Sequence, residues 1–161
     1  MHTTRTLVLM ALMLVARTGW AASCELSIEA DDRMQFNSQR LEIDTGCADV
    51  QLTLHHVGKQ PASVMGHNWV LARTADVGAL ASAGIRAGRA NNYQPPNDPR
   101  IIAATPVVGG GESATVHFAG SALKLGESYT FFCSSPGHHA LMRGAIVAST
   151  NAGRLSSTSV R

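Results

Sequence analysis

Apolar and polar residues alternate in several short segments of the chain. In residues 49–54, Val50, Leu52 and Leu54 alternate with polar neighbours, and this period of two predicts a strand with one buried face. Glycine- and proline-rich stretches, such as residues 109–111, separate the segments. Eight short strands with regular turns predict an all-β fold, a β-sandwich or Greek-key barrel. The other seven predicted strands lie around residues 26–28, 41–43, 69–71, 101–108, 116–118, 129–133 and 145–147.

One segment follows the helical period instead. Apolar residues at positions 77, 80, 81 and 85 share a helical face between Thr74 and Arg86. Thr74 is a suitable N-cap, and Gly88 lies just beyond the expected end. The sequence therefore predicts one short helix, a flap outside the sandwich, followed by an Asn- and Pro-rich loop at residues 89–100.

The two ends of the chain do not fit this pattern. Arg5 precedes an apolar run at residues 7–15, and small residues follow up to Ala21 and Ala22, as in a secretory signal. The run is too short for a permanent membrane span. Residues 151–161 are Ser-rich and predict a mobile tail. The predicted organisation is a signal peptide at residues 1–21, cleaved near Ala21, one domain at residues 22–150, and a tail at residues 151–161.

Charge excludes some partners. The 161 residues carry 13 Lys and Arg against 11 Asp and Glu. Loss of the signal removes Arg5 and Arg17 and no acidic residue, so the exported chain would have 11 of each sign and be formally neutral. A broad basic surface for nucleic acid or anionic membrane is therefore not expected. Near-neutrality suits brief contacts with proteins, although charge alone does not decide this.

The three cysteines are informative in an exported chain. In an oxidising compartment Cys24 and Cys47 can pair, which leaves Cys133 as an odd thiol. Such a bridge would stabilise the fold by about 3 kcal/mol in the chain-entropy model. A weaker alternative is a lipid on Cys24, because the residues before it partly match a lipoprotein processing site. If Cys24 and Cys47 pair, Cys133 needs a separate explanation.

The segment that begins at Cys133 is the most specific in the chain. It places Cys133, His138 and Met142 at relative positions 0, 5 and 9, with a Pro-Gly pair that excludes a continuous helix. The three side chains must then converge from a loop between adjacent strands. A thiolate, an imidazole and a thioether favour copper, since Met is a poor ligand for zinc, calcium or magnesium. Redox-active copper favours a second His, and His67 at a strand start is the candidate.

Each of these side chains has a simpler interpretation when taken alone. Cys133 could be a buried thiol, Met142 a core residue, and each His a satisfied or solvated side chain. Ligand type, spacing and the odd thiol together favour the copper site. A thiol enzyme is a rival function, but the sequence offers no nucleophile motif at Cys133. A copper-binding or copper-delivery protein would use the same ligands and is the alternative to an electron carrier.

The segments that carry these residues resemble those of azurins, blue-copper proteins of the cupredoxin family. The resemblance spans about residues 24–149 and implies an eight-stranded Greek-key sandwich with one type 1 copper ion. It implies that His67, Cys133, His138 and Met142 hold the ion and that the Gly66 carbonyl makes a distant fifth contact. The matching segments are Met65-Gly66-His67-Asn68-Trp69-Val70-Leu71, Phe131-Phe132-Cys133, Pro136-Gly137-His138 and Ala140-Leu141-Met142.

The resemblance also implies a function. It implies a soluble, monomeric one-electron carrier of the periplasm, not an enzyme, whose partners are c-type cytochromes and periplasmic reductases or dehydrogenases. Asn68 would link the two ligand loops, and the N–H groups of Asn68 and Ser135 would point at the Cys133 sulfur. Electrons would pass through His138, inside an apolar patch of Met34, Val64, Pro136, Gly137, Ala140 and Leu141.

Two further residues carry expectations. Azurins often have a bulky aromatic residue between the Cys and the Pro, where this chain has Ser135. The small hydroxyl predicts a wetter site and a reduction potential some tens of millivolts from that of Ser135→Phe. His56 continues the alternation of the strand at residues 49–54, which predicts an inward-facing histidine. The resemblance suggests that His56 is a pH-linked residue near the site but not a ligand.

Overall fold

A computed structural model describes residues 23–150, so the predicted signal peptide and tail lie outside the described residues. Nine strands in this part of the chain form two sheets, which confirms the predicted sandwich, although the prediction of eight strands missed the short one at Gln35–Phe36. The first sheet contains β1 (Ser23–Asp31), β2 (Gln35–Phe36), β4 (Asp49–His56) and β7 (Ser113–Phe118), in the order β2-β1-β4-β7. The second contains β3 (Arg40–Asp44), β5 (Val70–Arg73), β6 (Ala103–Ala104), β8 (Tyr129–Phe132) and β9 (Arg143–Ser149), in the order β3-β9-β8-β5-β6.

The facing sides of the two sheets form the apolar core. Along β4 the buried positions alternate with more exposed ones, as the sequence predicted. Trp69 is fully buried and stacks between Phe118 and Phe131, with ring centroids 6.3 and 6.0 Å away. Large aromatic side chains bury much apolar area and hold few conformations. They therefore form a rigid part of the core, and Trp69 lies two residues after His67.

Helix α2 (Val77–Ala87) lies outside the sandwich, as predicted, and covers the outer face of the second sheet. A 3-10 turn (Thr74–Asp76) precedes it, and Gly88 follows it with a φ of 73°. The predicted Thr74 cap is wrong, because the Thr74 hydroxyl lies 2.9 Å from that of Thr130 on β8. The buried residues of this layer are Val77, Leu80 and Ala81 from the helix and Val70, Ala72 and Phe132 from the sheet.

A shorter helix, α1 (Ala62–Met65), was not predicted, and it leads directly into Gly66 and His67. Neither α1 nor α2 is long and apolar enough to cross a membrane, and the same holds for the other helical turns in residues 23–150.

The predicted strand at residues 101–108 is mostly a loop. Within this segment β6 is the only strand, and it pairs with β5, while Val108 forms an isolated bridge with His67. Pro106 has no N–H group to donate to a ladder, which interrupts the strand. The Thr105 hydroxyl accepts the Trp69 N–H at 3.0 Å. The chain therefore leaves the sheet after β6 and pairs at Val108 with His67, outside the sheet.

Cys24 and Cys47 form a disulfide with 6.1 Å between their Cα atoms, as predicted. The bridge uses the sulfur atom to which a lipid would have to be attached. Among residues 23–150 Cys133 is the free cysteine, and it is buried. The odd thiol is therefore inside the protein, where the metal site was predicted.

Candidate metal centre

The loop between β8 and β9 carries three of the predicted ligands. The Cys133 N–H donates to the Met142 carbonyl at 3.0 Å, which closes the base of the loop. The Met142 N–H in turn donates to the His138 carbonyl at 2.8 Å. Gly137 has a φ of 84°, a conformation that favours glycine, so the chain can turn just before His138. The backbone thus brings these three residues together.

His67 comes from a separate loop between α1 and β5. Its backbone pairs with Val108 in both directions, at 3.0 and 2.8 Å. The ring Nε2 lies 2.9 Å from the Asp31 carbonyl oxygen. Since a carbonyl only accepts, the ring proton is on Nε2, and Nδ1 keeps a lone pair for a metal. Sequence reasoning missed this role of Asp31, because any residue can supply a backbone oxygen.

Three donor atoms form a compact triangle. The Cys133 Sγ lies 3.8 Å from Nδ1 of His67 and 3.5 Å from Nδ1 of His138, and the two nitrogens are 3.2 Å apart. Donors bonded at about 2.0–2.3 Å, with angles of about 105–120° at the ion, would lie about 3.2–3.8 Å from one another. The separations therefore fit a single metal ion. All three residues are buried, and only His138 retains measurable exposure, at 8%.

Both histidines are held in the neutral form that binds metal. Burial lowers the pKa of His67 from 6.5 to about 4, even though its bond to the Asp31 carbonyl favours the protonated ring. Burial also lowers the pKa of His138. Neutral imidazoles can coordinate a metal without first losing a proton. The site therefore needs no proton removed from its histidines at neutral pH.

The pKa of the Cys133 thiol shifts in the opposite direction to the pKa values of the two histidines. Burial raises its pKa, although hydrogen bonds from the N–H groups of Asn68 and Ser135 to the sulfur favour the thiolate. The two predicted N–H contacts to the sulfur are thus present. In the absence of a metal the thiol keeps its proton, and a bound cation favours the thiolate.

Asn68 links the two ligand loops, as predicted. Its Oδ1 accepts the Ser134 N–H at 2.8 Å, and its Nδ2 donates to the Ser134 hydroxyl at 2.8 Å. The same Nδ2 donates to the Asn92 carbonyl at 2.9 Å, and Asn92 Oδ1 accepts the Val107 N–H at 3.0 Å. Asn92, with a φ of 53°, therefore ties a third loop to the site. Sequence reasoning did not identify it, although Asn in a polar loop commonly adopts this conformation.

Gly66 and Met142 both lie at the site. Met142 is fully buried, and the Gly66 carbonyl accepts the Ser135 hydroxyl at 2.7 Å. A Cβ at Gly66 would collide with the Ala62 carbonyl and lie 2.6 Å from Val107 Cγ1, so only glycine fits. Their role as copper ligands stays a prediction.

His56 is buried beside the triangle, as predicted, but is not part of it. Its ring centroid lies 4.7 Å from that of His67. Within residues 23–150 neither ring nitrogen has a hydrogen-bond partner, and Nε2 lies 3.6 Å from Asp32 Oδ1. The pH-linked role of His56 stays a prediction.

The surface around His138 is apolar. Val64 and Leu141 are 64% and 65% exposed, more than the other exposed large apolar side chains of the described residues. The other residues predicted for this patch are Pro136, Gly137 and Ala140, which are exposed, and Met34, which is half-buried.

The fold and the site together define a class of protein. A two-sheet sandwich holds two neutral imidazoles and one cysteine in a preset triangle, with a buried methionine in the same loop. This donor set is that of a blue-copper site. The class is therefore a cupredoxin with one type 1 copper centre.

Comparisons with known proteins give the family. The model of the copper binding proteins of the plastocyanin/azurin family matches residues 22–149. The chain is 47% identical over 143 residues to the azurin of Methylobacillus flagellatus, covering 88% of this chain and 97% of that one. It is 48% identical over 126 residues to the azurin of Bordetella pertussis, covering 78% and 84%. A solved structure of azurin iso-2 from Methylomonas sp. strain J matches with a TM-score of 0.76 at 44% identity, covering 80% of this chain and 99% of that one.

The chain thus belongs to the copper-binding plastocyanin/azurin family. Its cofactor is a single type 1 copper ion, and it is a blue-copper electron carrier that exchanges electrons with other redox proteins.

Proposed function

We propose that this chain carries single electrons between periplasmic proteins, with c-type cytochromes and periplasmic reductases or dehydrogenases as its partners. The burial of the site is the observation that carries the proposal. His67, Cys133 and Met142 are fully buried, and His138 alone retains some exposure, under the apolar patch. An electron can therefore pass through the His138 ring while solvent stays away from the metal.

The proposed ligands are His67, Cys133 and His138, with Met142 as a weak axial ligand and the Gly66 carbonyl as a distant contact. A copper ion held there supplies a one-electron couple between Cu(II) and Cu(I). The protein residues keep the donors in place. The hydrogen bonds of Asn68 and the base of the β8–β9 loop hold the two ligand loops together, so a change of charge requires little rearrangement.

The same arrangement opposes catalysis and copper delivery. With four positions filled by protein atoms, no open position remains for a substrate, so we propose that the chain is not an enzyme. Delivery would require donors within reach of an acceptor, whereas these are buried. We expect the protein to keep its copper through repeated oxidation and reduction in excess Cu(I) chelator. Rapid loss of copper to the chelator would favour delivery.

The apolar patch is the proposed docking surface for redox partners. Val64→Asp places a charge within the patch without touching a ligand. We expect electron exchange with a c-type cytochrome to slow by about tenfold or more, because burying an unpaired charge at an interface is costly. Leu125→Asp is the matched control, since Leu125 is 57% exposed in the turn before β8, away from the ligand loop at the other end of that strand. Equal rates for the two variants would contradict the assignment.

The proposed chain organisation is a signal at residues 1–21, a domain at residues 22–150 and a tail at residues 151–161. The family match at residues 22–149 supports the bounds of the domain. The disulfide suits an oxidising compartment such as the periplasm. N-terminal sequencing of the periplasmic fraction should find a chain that begins near Ala22, and an intact Met1 in that fraction would contradict the proposal.

A further inference from the structure

Ser135 brings a hydroxyl group into contact with both ligand loops. It is buried, with 5% exposure, and its Oγ donates to the Gly66 carbonyl at 2.7 Å across 69 residues of sequence. The same hydroxyl and the Ser135 N–H contact the Cys133 sulfur. One side chain thus touches two atoms that are assigned to the copper site.

The Ser135 hydroxyl limits what the Gly66 carbonyl can offer a cation. A serine hydroxyl has one proton to donate, and at 2.7 Å the Gly66 oxygen receives it in a short hydrogen bond. That bond occupies one lone pair of the carbonyl and fixes its direction. Both groups are largely buried, and a hydrogen bond is stronger in such surroundings than in water. The carbonyl oxygen is therefore a weaker ligand here than a carbonyl without this partner.

We propose that the Ser135 hydroxyl positions the Gly66 carbonyl so that the site prefers copper to zinc and Cu(I) to Cu(II). This inference rests on the ligand assignment made under the proposed function. Zinc binds four N, S or O donors, and Met142 is a poor one, so the carbonyl oxygen is the available fourth ligand for zinc. Cu(I) is soft and is satisfied by thiolate, imidazole and thioether. Restraint of the carbonyl therefore weakens zinc binding most and Cu(I) binding least.

Two matched pairs of proteins distinguish the effect of the hydroxyl group from the effect of the shape of the side chain. Ser135→Ala removes the hydroxyl from the native protein and adds no bulk. Ser135→Thr and Ser135→Val have the same shape and differ by the hydroxyl. A cavity of about 200 Å³ beside Ser135, lined by Val64, Tyr93 and Pro136 among others, leaves room for the additional methyl group.

The first measurement is the affinity for Zn(II) and Cu(II), by competition with a chelator of known affinity. We expect the Zn(II)-to-Cu(II) affinity ratio to rise about tenfold in Ser135→Ala and Ser135→Val relative to their hydroxyl-bearing partners, the scale of one buried hydrogen bond. The second measurement is the reduction potential, which should fall in the same two variants. A tenfold change in the equilibrium between Cu(II) and Cu(I) corresponds to a shift of 59 mV.

A merely structural role for Ser135 would give a different result. Loosening the loop would lower the affinity for both metals and leave the ratio of the two affinities unchanged. An unchanged ratio and potential within both pairs would overturn the inference, and so would complete loss of metal binding in both variants that lack the hydroxyl. A blue native protein would leave the proposed function intact in either case, whereas a native protein that stays colourless with cupric salt would remove the ligand assignment itself.

Discussion

The Cys133 thiol and the His67 imidazole have pKa values shifted in opposite directions by the same burial. Above pH 4 the lowered pKa leaves His67 neutral, and at pH 7 the raised pKa leaves the thiol protonated. Copper binding at pH 7 should therefore release about one proton, from Cys133. As the pH falls towards the His67 pKa of about 4, the released number should rise because the ring must then also lose a proton.

Calorimetry in buffers of different ionisation enthalpy measures this proton release. Cys133→Ser is the control and should release about one proton fewer, since a serine hydroxyl keeps its proton. A value near zero in the native protein would mean a preformed thiolate, and a value near two would mean a protonated histidine. Either value would contradict the protonation states derived from burial.

Asn68→Ala should destabilise the metal-free protein by about 2–3 kcal/mol, because three buried or part-buried hydrogen bonds are lost and the partner groups remain. Asn91→Ala is the matched control, since the exposed Asn91 makes a single side-chain bond, to the Ala87 carbonyl. The Asn91→Ala substitution should lower the free energy of unfolding by about 0.5 kcal/mol or less. Urea unfolding measures both, and equal losses would show that Asn68 does not hold the loops together.

At the residue scale the sequence predicted which side chains cluster at the site, but not the hydrogen-bond partners that orient them. The clustering of His67, Cys133 and His138 was predicted because donor type and loop spacing are local properties of the sequence. The Asp31 carbonyl that orients His67 was not, because a backbone oxygen has no residue-specific signal. The Thr74 cap failed for a related reason, since a tertiary partner, Thr130, bonds to the hydroxyl instead.

Helix α2 offers a matched pair of glycines. A Cβ on Gly84 would collide with the Tyr93 carbonyl, whereas a Cβ on Gly78 would meet nothing within 4 Å. Gly84→Ala should therefore destabilise by about 1–3 kcal/mol through overpacking. Gly78→Ala should stabilise by up to about 1 kcal/mol, because alanine is the better helix former. Thermal unfolding measures both, and a stabilising Gly84→Ala would contradict the close packing of α2 on the loop at Tyr93.

At the element scale, long periodic segments were predictable and short ones were not. The sequence of β4 has a clear period of two and that of α2 a period near four, and the structure contains both predicted elements. The strand at residues 101–108 reduced to β6 because Pro106 cannot pair. The two-residue β2 and the four-residue α1 are too short for a sequence period to identify.

The disulfide and the metal centre lie at opposite ends of the first sheet. Cys24 pairs with Val50 at one end of β1 and β4, and Ala30 pairs with His56 at the other, about 20 Å away. Replacing both Cys24 and Cys47 with Ser should lower the free energy of unfolding by about 3 kcal/mol. The visible spectrum of the copper-loaded protein should stay unchanged. Guanidinium unfolding and spectroscopy test this, and a folded variant without colour would contradict the separation.

At the scale of the whole molecule, the alternation of apolar residues predicted two packed sheets but not their strand order. The orders β2-β1-β4-β7 and β3-β9-β8-β5-β6 depend on crossovers that no local pattern specifies. The strand pattern allowed a sandwich or a Greek-key barrel, and the resemblance at the two ligand segments implied the Greek-key sandwich. These segments are 66 residues apart in sequence, from His67 to Cys133, and only the topology brings them together.

The most direct test is a cupric titration of the metal-free, disulfide-bonded protein, followed by visible spectroscopy. We expect an intense blue colour that reaches its maximum at about one copper per chain and bleaches reversibly on reduction, because the thiolate of Cys133 binds the ion. Cys133→Ser should bind copper weakly and without that colour. A native protein that stays colourless, or a Cys133→Ser variant with the native spectrum, would contradict the account.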